Sequence, residues 1–243
     1  MKKFCLAVLI SFLFITGCDK NIIPVKDNSI TIIDGVDGIT VGDEIALGSE
    51  HFYVISSDSE KTILLSKYNL LIGYDCNGNT MKACKEIDTS TEGFGLQSET
   101  ALGFLPNTNK RMGVIQFSNS NYWYDNDNHK LKDEYDSEFP SYVLDSNSNL
   151  YNYLSDYEKT LSNRGYSINK IRLLTYREAN DFKETNSEKL HNTSFWLGDS
   201  ADWYELYACN TEKFIKASGY NAMVYGIRPV IEIPTSDIEL KSK

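Results

Sequence analysis

Apolar positions fall into distinct patterns along the chain. From Phe4 to Ile15 they form a nearly unbroken run of about a dozen residues behind Lys2 and Lys3, shorter than the ~20 that cross a bilayer as a helix. From Val41 to Ser66 they come in short blocks: Glu44-Ile45-Ala46-Leu47, Phe52-Tyr53-Val54-Ile55 and Thr62-Ile63-Leu64-Leu65. Gly48-Ser49-Glu50 and Ser57-Asp58-Ser59-Glu60 separate them, and such blocks between turn residues predict a β-meander. Leu150, Leu154, Tyr157 and Leu161 recur at helical spacing and predict a helix over Leu150–Asn163. Ser146 to Ser148 offer its N-cap, and Gly165 sits where a C-terminal glycine belongs.

Thr175-Tyr176-Arg177-Glu178 is a capping-box pattern. It predicts a second, shorter helix with Ala179 and Phe182 facing inward. Strand character returns in Phe195-Trp196-Leu197, Trp203 to Tyr207, Ala222 to Tyr225 and Val230 to Ile233. Between Gly73 and Asn128 the chain is rich in Asn, Gly, Ser and Thr with little periodicity, so long loops are expected. Strands, loops, two helices and strands again predict an α+β fold with antiparallel sheets rather than alternating βαβ units.

The N-terminal run adds an address. Two lysines, an apolar stretch and then Ile15-Thr16-Gly17-Cys18 follow the plan of a bacterial secretory signal. The tetrapeptide resembles a lipobox, which implies a diacylglycerol (with an acyl chain such as palmitate) on the Cys18 thiol and cleavage before it. Two or three acyl chains give a lasting anchor at roughly 0.8 kcal/mol per buried CH2. Residues 1–17 are then a leader and 18–36 a tether holding a folded domain over 37–236, with a frayed tail at 237–243. The expected location is outside the cytoplasm, at the cell surface, fixed to a membrane through Cys18.

Composition narrows the partners. The chain is 41% hydrophobic and 24% charged, which is ordinary for a globular domain and excludes a disordered or multi-span protein. Its net charge of −10 becomes more negative still once the two leader lysines are removed. A phosphate backbone repels such a surface, so nucleic acid is not an expected partner. No basic block follows the leader, which argues against electrostatic attachment to anionic lipid.

Cys76, Cys84 and Cys209 remain in the mature chain. Cys76 and Cys84 flank Asn77-Gly78-Asn79, a turn signal that can bring their sulfurs together as a disulfide in an oxidising compartment. Cys209 reads as a small buried residue, since no base or cation is evident beside it in the sequence.

Several segments agree in order with a group of uncharacterised bacterial extracellular proteins, over roughly residues 40–235. They are Gly42-Asp43-Glu44, Phe52 to Ile55, Thr62 to Ser66, Asp145 to Tyr153, Arg172-Leu173-Leu174-Thr175-Tyr176-Arg177-Glu178, Phe195-Trp196-Leu197-Gly198 and Tyr225-Gly226-Ile227-Arg228-Pro229-Val230. The last three also resemble the core of the C-type-lectin-like fold, in the branch shared with formylglycine-generating enzymes. The resemblance implies a C-type-lectin-like domain. Arg172 and Arg228 lie beside apolar runs, and a buried arginine needs a partner, for which Glu178 or Glu232 is available. Arg172, Glu178, Trp196, Arg228 and Pro229 are therefore read as structural. Trp203 stands evenly between packing and recognition.

The chemistry of that fold's better-known members is not evident in the residues. His51, His129 and His191 are too far apart for a His-x3-His metal helix, and only Cys209 stands where formylglycine-generating enzymes carry an active-site pair. No Glu-Pro-Asn, Gln-Pro-Asp or Trp-Asn-Asp triplet offers a calcium-dependent sugar site, and Asp125-Asn126-Asp127-Asn128 lacks the glycine and distal glutamate of an EF-hand. No Gly-x-Ser-x-Gly or phosphate-binding glycine loop occurs. No catalytic residue, metal or cofactor is assigned. The 16 tyrosines and abundant Asn match the composition of recognition loops, although an AT-rich coding sequence gives the same bias. Tyr122, Trp123, Tyr124, Trp203 and Tyr204 are the candidate binding residues, on loops around Asn119–Asp125 and Asp199–Tyr204. The leading expectation is a non-enzymatic module recognising a glycan or protein. The alternatives are a degenerate formylglycine-generating-like oxidase or cell-wall hydrolase, and a structural component of a surface assembly.

Overall fold

The computed structural model describes residues 29–34, 38–76, 84–100, 103–105, 124–125, 130–131, 149–200, 205–218 and 225–239. The order is β1 (Ile30–Ile32), β2 (Glu44–Leu47), β3 (Glu50–Ser57), β4 (Lys61–Ser66), β5 (Tyr74–Cys76), β6 (Cys84–Glu86), β7 (Gly103–Leu105), β8 (Tyr124–Asp125) and β9 (Lys130–Leu131). Then come α1 (Asn149–Asn163), β10 (Lys170–Leu173), α2 (Tyr176–Leu190), β11 (Phe195–Ser200), β12 (Glu205–Cys209), β13 (Phe214–Ser218), β14 (Tyr225–Gly226), β15 (Pro229–Pro234) and β16 (Ile238–Glu239). The leader, Cys18, the proposed cap residues Ser146 to Ser148 and the expected strand start at Ala222 lie outside the described residues.

The fold is α+β with two large sheets. One runs β10-β15-β4-β3-β2-β1-β16 and the other β13-β12-β11-β14-β7-β5-β6. The expectation of antiparallel sheets is corrected: each sheet contains one parallel pair, β1 with β16 and β11 with β14. These pairings join segments far apart in sequence, which turn signals between neighbouring strands cannot register.

The unbroken apolar blocks have a physical reason: both faces of their strands are covered. Phe52, Val54, Leu64, Ile231, Ile233 and Trp196 point into one core with Leu150, Leu154, Tyr157 and Leu161 of α1. Their neighbours Tyr53, Leu65, Val230, Phe195 and Leu197 point into a second core with Ala179, Phe182 and Leu190 of α2. The helical stripe of α1 is thus its buried face, and Gly165 follows it with a φ of 99°, a conformation that glycine adopts without steric cost. A buried polar set fastens α1 to the meander: the Tyr157 hydroxyl donates to Glu50 Oε2 at 2.7 Å, and Gln97 N donates to the same oxygen at 3.0 Å.

Three boundaries differ from the sequence expectation. β1 lies inside the span read as a tether, because Ile30 and Ile32 are buried between β2 and β16. β16 lies inside the span read as a tail, with Ile238 buried. α2 is not the shorter helix: each helix has 15 residues, and α2 carries a kink at Asn186. The segment after Gly73 also contains short strands where only loops were expected.

Gly226 shows how tightly the second sheet meets the first. A Cβ at this position would stand 2.0 Å from Nδ2 of the fully buried Asn69. Asn69 is itself fixed, donating to Thr193 Oγ1 at 2.8 Å and to the Ser194 carbonyl at 3.0 Å. Gly226→Ala is therefore expected to lower unfolding stability by about 1–3 kcal/mol, the usual cost of overpacking. A denaturant midpoint equal to that of the parent would show that Asn69 yields freely.

Candidate functional site

Arg228 is fully buried, and its pairing differs from the sequence expectation. Among the described residues no carboxylate holds it. Nε donates to the Ser66 carbonyl at 2.7 Å, Nη1 to Leu190 at 2.7 Å and Nη2 to Lys189 at 2.9 Å. Lys189 and Leu190 end α2, so the counter-charge is the negative end of the helix with its otherwise unpaired carbonyls. The guanidinium also lies 4.9 Å from the Phe195 ring centroid. Burial pushes Arg228 down to about 10, which still leaves it charged at neutral pH. Pro229 follows as the first residue of β15, where its missing N–H and its restriction of the preceding residue suit a strand start.

Arg172 pairs as anticipated with both acids. Nη1 and Nη2 grip Glu178 in a fork at 2.7 and 2.6 Å, and Nε lies 3.6 Å from Glu232. Glu178 also completes the capping box with Thr175. Burial alone would raise the Glu178 carboxyl, but the Arg172 fork and the Thr175 bonds outweigh it and hold it below its ordinary value.

Asp199 was expected on a binding loop. It instead lies in β11, 2% exposed, and accepts a hydrogen bond from the Tyr176 backbone N–H at the first turn of α2. Burial raises its carboxyl to about 7, against the Tyr176 bond and with further repulsion from Glu178. Strong burial of an aspartate has no sequence signature in an acidic chain, so its place in the core was not readable.

Above Asp199 lies an aromatic group. Tyr176 packs on Tyr207 of β12 with centroids 4.3 Å apart and on Phe214 of β13 at 5.1 Å. Lys183 stands 5.1 Å over Phe214, and His191 flanks the same ring at 5.8 Å. Tyr176, Tyr207 and Phe214 are each half-buried, on α2, β12 and β13; residues 201–204 connect β11 to β12. Trp203 and Tyr204 belong to that connection in sequence and lie outside the described residues, as do Tyr122 and Trp123. Tyr124 forms a two-residue strand with β9, away from the two large sheets in pairing. Trp196 is 3% exposed and packs edge-on against Tyr225 at 4.7 Å.

Cys209 has a neighbour that its sequence context did not reveal: His191 Nδ1 lies 3.4 Å from its sulfur. That nitrogen is also 2.6 Å from the Asn210 carbonyl, and a carbonyl can only accept, so Nδ1 carries the proton. It therefore cannot act as a base toward the thiol. Burial pushes Cys209 up to about 12. Among the described residues no group of His, Cys, Asp or Glu is arranged to hold a metal, and no helix is long and apolar enough to cross a membrane. Comparison with protein-family models, with curated sequences and with solved structures found no match.

Two outcomes are expected. Arg228→Ala removes the donor from two buried carbonyls, Ser66 and Leu190, and from the partly buried one of Lys189, at about 1–3 kcal/mol for each buried group, so a melting temperature lowered by many degrees is the predicted result. Asp199 keeps its proton to about pH 7 when folded, whereas the unfolded carboxyl loses it near 4. The unfolded state thus binds fewer protons between those values, and stability falls as pH rises through that window. Asp199→Asn, a permanent mimic of the protonated form, should flatten this fall and exceed the parent in stability at pH 8. Urea titrations from pH 4 to 8 measure both, and parallel curves would contradict the assignment.

Proposed function

We propose that this chain is a lipoprotein held outside the cytoplasm through Cys18, whose folded domain serves as a non-enzymatic recognition module for a glycan or protein. The observation that carries the recognition reading is the half-buried aromatic group Tyr176, Tyr207 and Phe214, of which Tyr207 follows the β11–β12 connection closely in sequence. Aromatic faces next to amide and carboxyl groups stack on sugar rings and anchor protein partners. Trp203 and Tyr204 in that connection extend the same chemistry in sequence. Trp123 and Tyr122 offer a second patch of the same kind.

A C-type-lectin-like architecture fits this proposal. The capped start of α2 at Thr175, the Trp196 strand and the closing strand at Pro229 follow one another in the order that the sequence resemblance implies. The membrane attachment rests on Ile15-Thr16-Gly17-Cys18 behind the apolar run.

Cys18→Ala should leave the protein unprocessed or release it from the membrane fraction, and an acylated, membrane-bound product would refute the anchor. For recognition, detergent-extracted protein is applied to a glycan array and to intact cells. Trp203→Ala is expected to reduce capture at least about tenfold while changing stability by less than about 1 kcal/mol. A loss of several kcal/mol with capture intact would make Trp203 core packing. Stoichiometric copper or iron in the purified protein would favour the oxidase alternative over a binding module.

A further inference from the structure

The β5–β6 hairpin places two cysteines on a geometry that its sequence leaves open. The register pairs Tyr74 with Glu86, Asp75 with Lys85 and Cys76 with Cys84. One step earlier, Ile87 N–H donates to the Gly73 carbonyl at 2.7 Å. Opposed pairs in an antiparallel ladder alternate between hydrogen-bonded and non-hydrogen-bonded. Gly73 with Ile87 is a bonded pair, so Asp75 with Lys85 is the next. Cys76 with Cys84 then falls on a non-hydrogen-bonded position, where opposed Cα atoms stand roughly 4.5 Å apart. That spacing lies inside the roughly 4.4–6.8 Å window that a disulfide spans.

We propose that Cys76 and Cys84 form a cross-strand disulfide that fastens β6, the outermost strand of the second sheet. β6 has three residues and, among the described residues, pairs only with β5. So short an edge strand has few ladder bonds of its own to hold it. In forming the bridge, the two thiols give up two protons and two electrons. A partner disulfide, small or protein-borne, takes them up and is reduced to two thiols. Cys209 offers no competing partner, being fully buried in the second core. The pairing itself follows from register alone. Its occupancy in cells rests on the export reading above, because only an oxidising compartment maintains such a bond.

Tryptic peptide mapping of membrane-extracted protein, alkylated without reductant, tests this directly. Lys82 lies between the two cysteines, so cleavage there puts them on separate peptides, 68–82 and 83–85. The expected result is one linked species, lighter by two hydrogens than the sum of the two, which disappears on reduction. Reduced protein re-equilibrated with equimolar reduced and oxidised glutathione should regain the link. A double variant, Cys84→Ser with Lys85→Cys, moves one thiol to the opposite sheet face, and its link should be at least about tenfold less abundant. Equal linkage in that variant, or separate alkylated peptides in the re-equilibrated parent, would overturn the proposal. A link that forms in glutathione buffer but is missing in protein taken from cells would overturn the export reading and support the pairing.

Discussion

A single buried cation organises the meeting of the two sheets. Arg228 reaches the end of β4 through Ser66 and the last turn of α2 through Lys189 and Leu190, while Phe195 of β11 lies against its guanidinium. Helix ends leave carbonyls that must find donors, and a helix that ends in a protein core cannot use water for them. Arg228 supplies several donors on one rigid plane, which a lysine could not reproduce. The adjoining Asn69, Thr193 and Gly226 fill the same junction so closely that no side chain fits at Gly226. The position of α2, and with it the aromatic group at its first turn, follows from what happens at its last.

The other end of α2 shows the opposite solution. There the free groups are N–H donors, and Thr175, Glu178 and Asp199 accept from them. Glu178 is kept ionised by Arg172, whereas burial outweighs the Tyr176 bond and the more weakly felt Arg172 charge at Asp199, which holds its proton more tightly. One helix end thus carries two carboxyl groups with opposite behaviour, separated by what stands beside each.

How much of this was readable from the sequence depended on range. The capping box spans four residues and the α1 stripe twelve, so both were legible, and the solid apolar blocks gave away the strands buried on two faces. The short strands after Gly73 were not, because β7 is held by β14 more than a hundred residues later. Arg228 was matched in the sequence with a carboxylate, whereas it bonds backbone carbonyls: such acceptors exist at every residue and leave no trace in composition. The group of Tyr176, Tyr207 and Phe214 was missed for a related reason, since it is assembled from a helix and two strands with no shared local motif.

The pairing of β1 with both β2 and β16 also has a mechanical side. If the chain is anchored as proposed above, a pull on its N-terminal segment enters the described fold at residue 29 and loads β1. The bonds on either side of that strand lie across the pull, so they are loaded together in shear instead of opening one after another like a zip. β16, more than two hundred residues further along the chain, braces the first, so the strand that takes the load is held from both flanks only after the segments between them have been made.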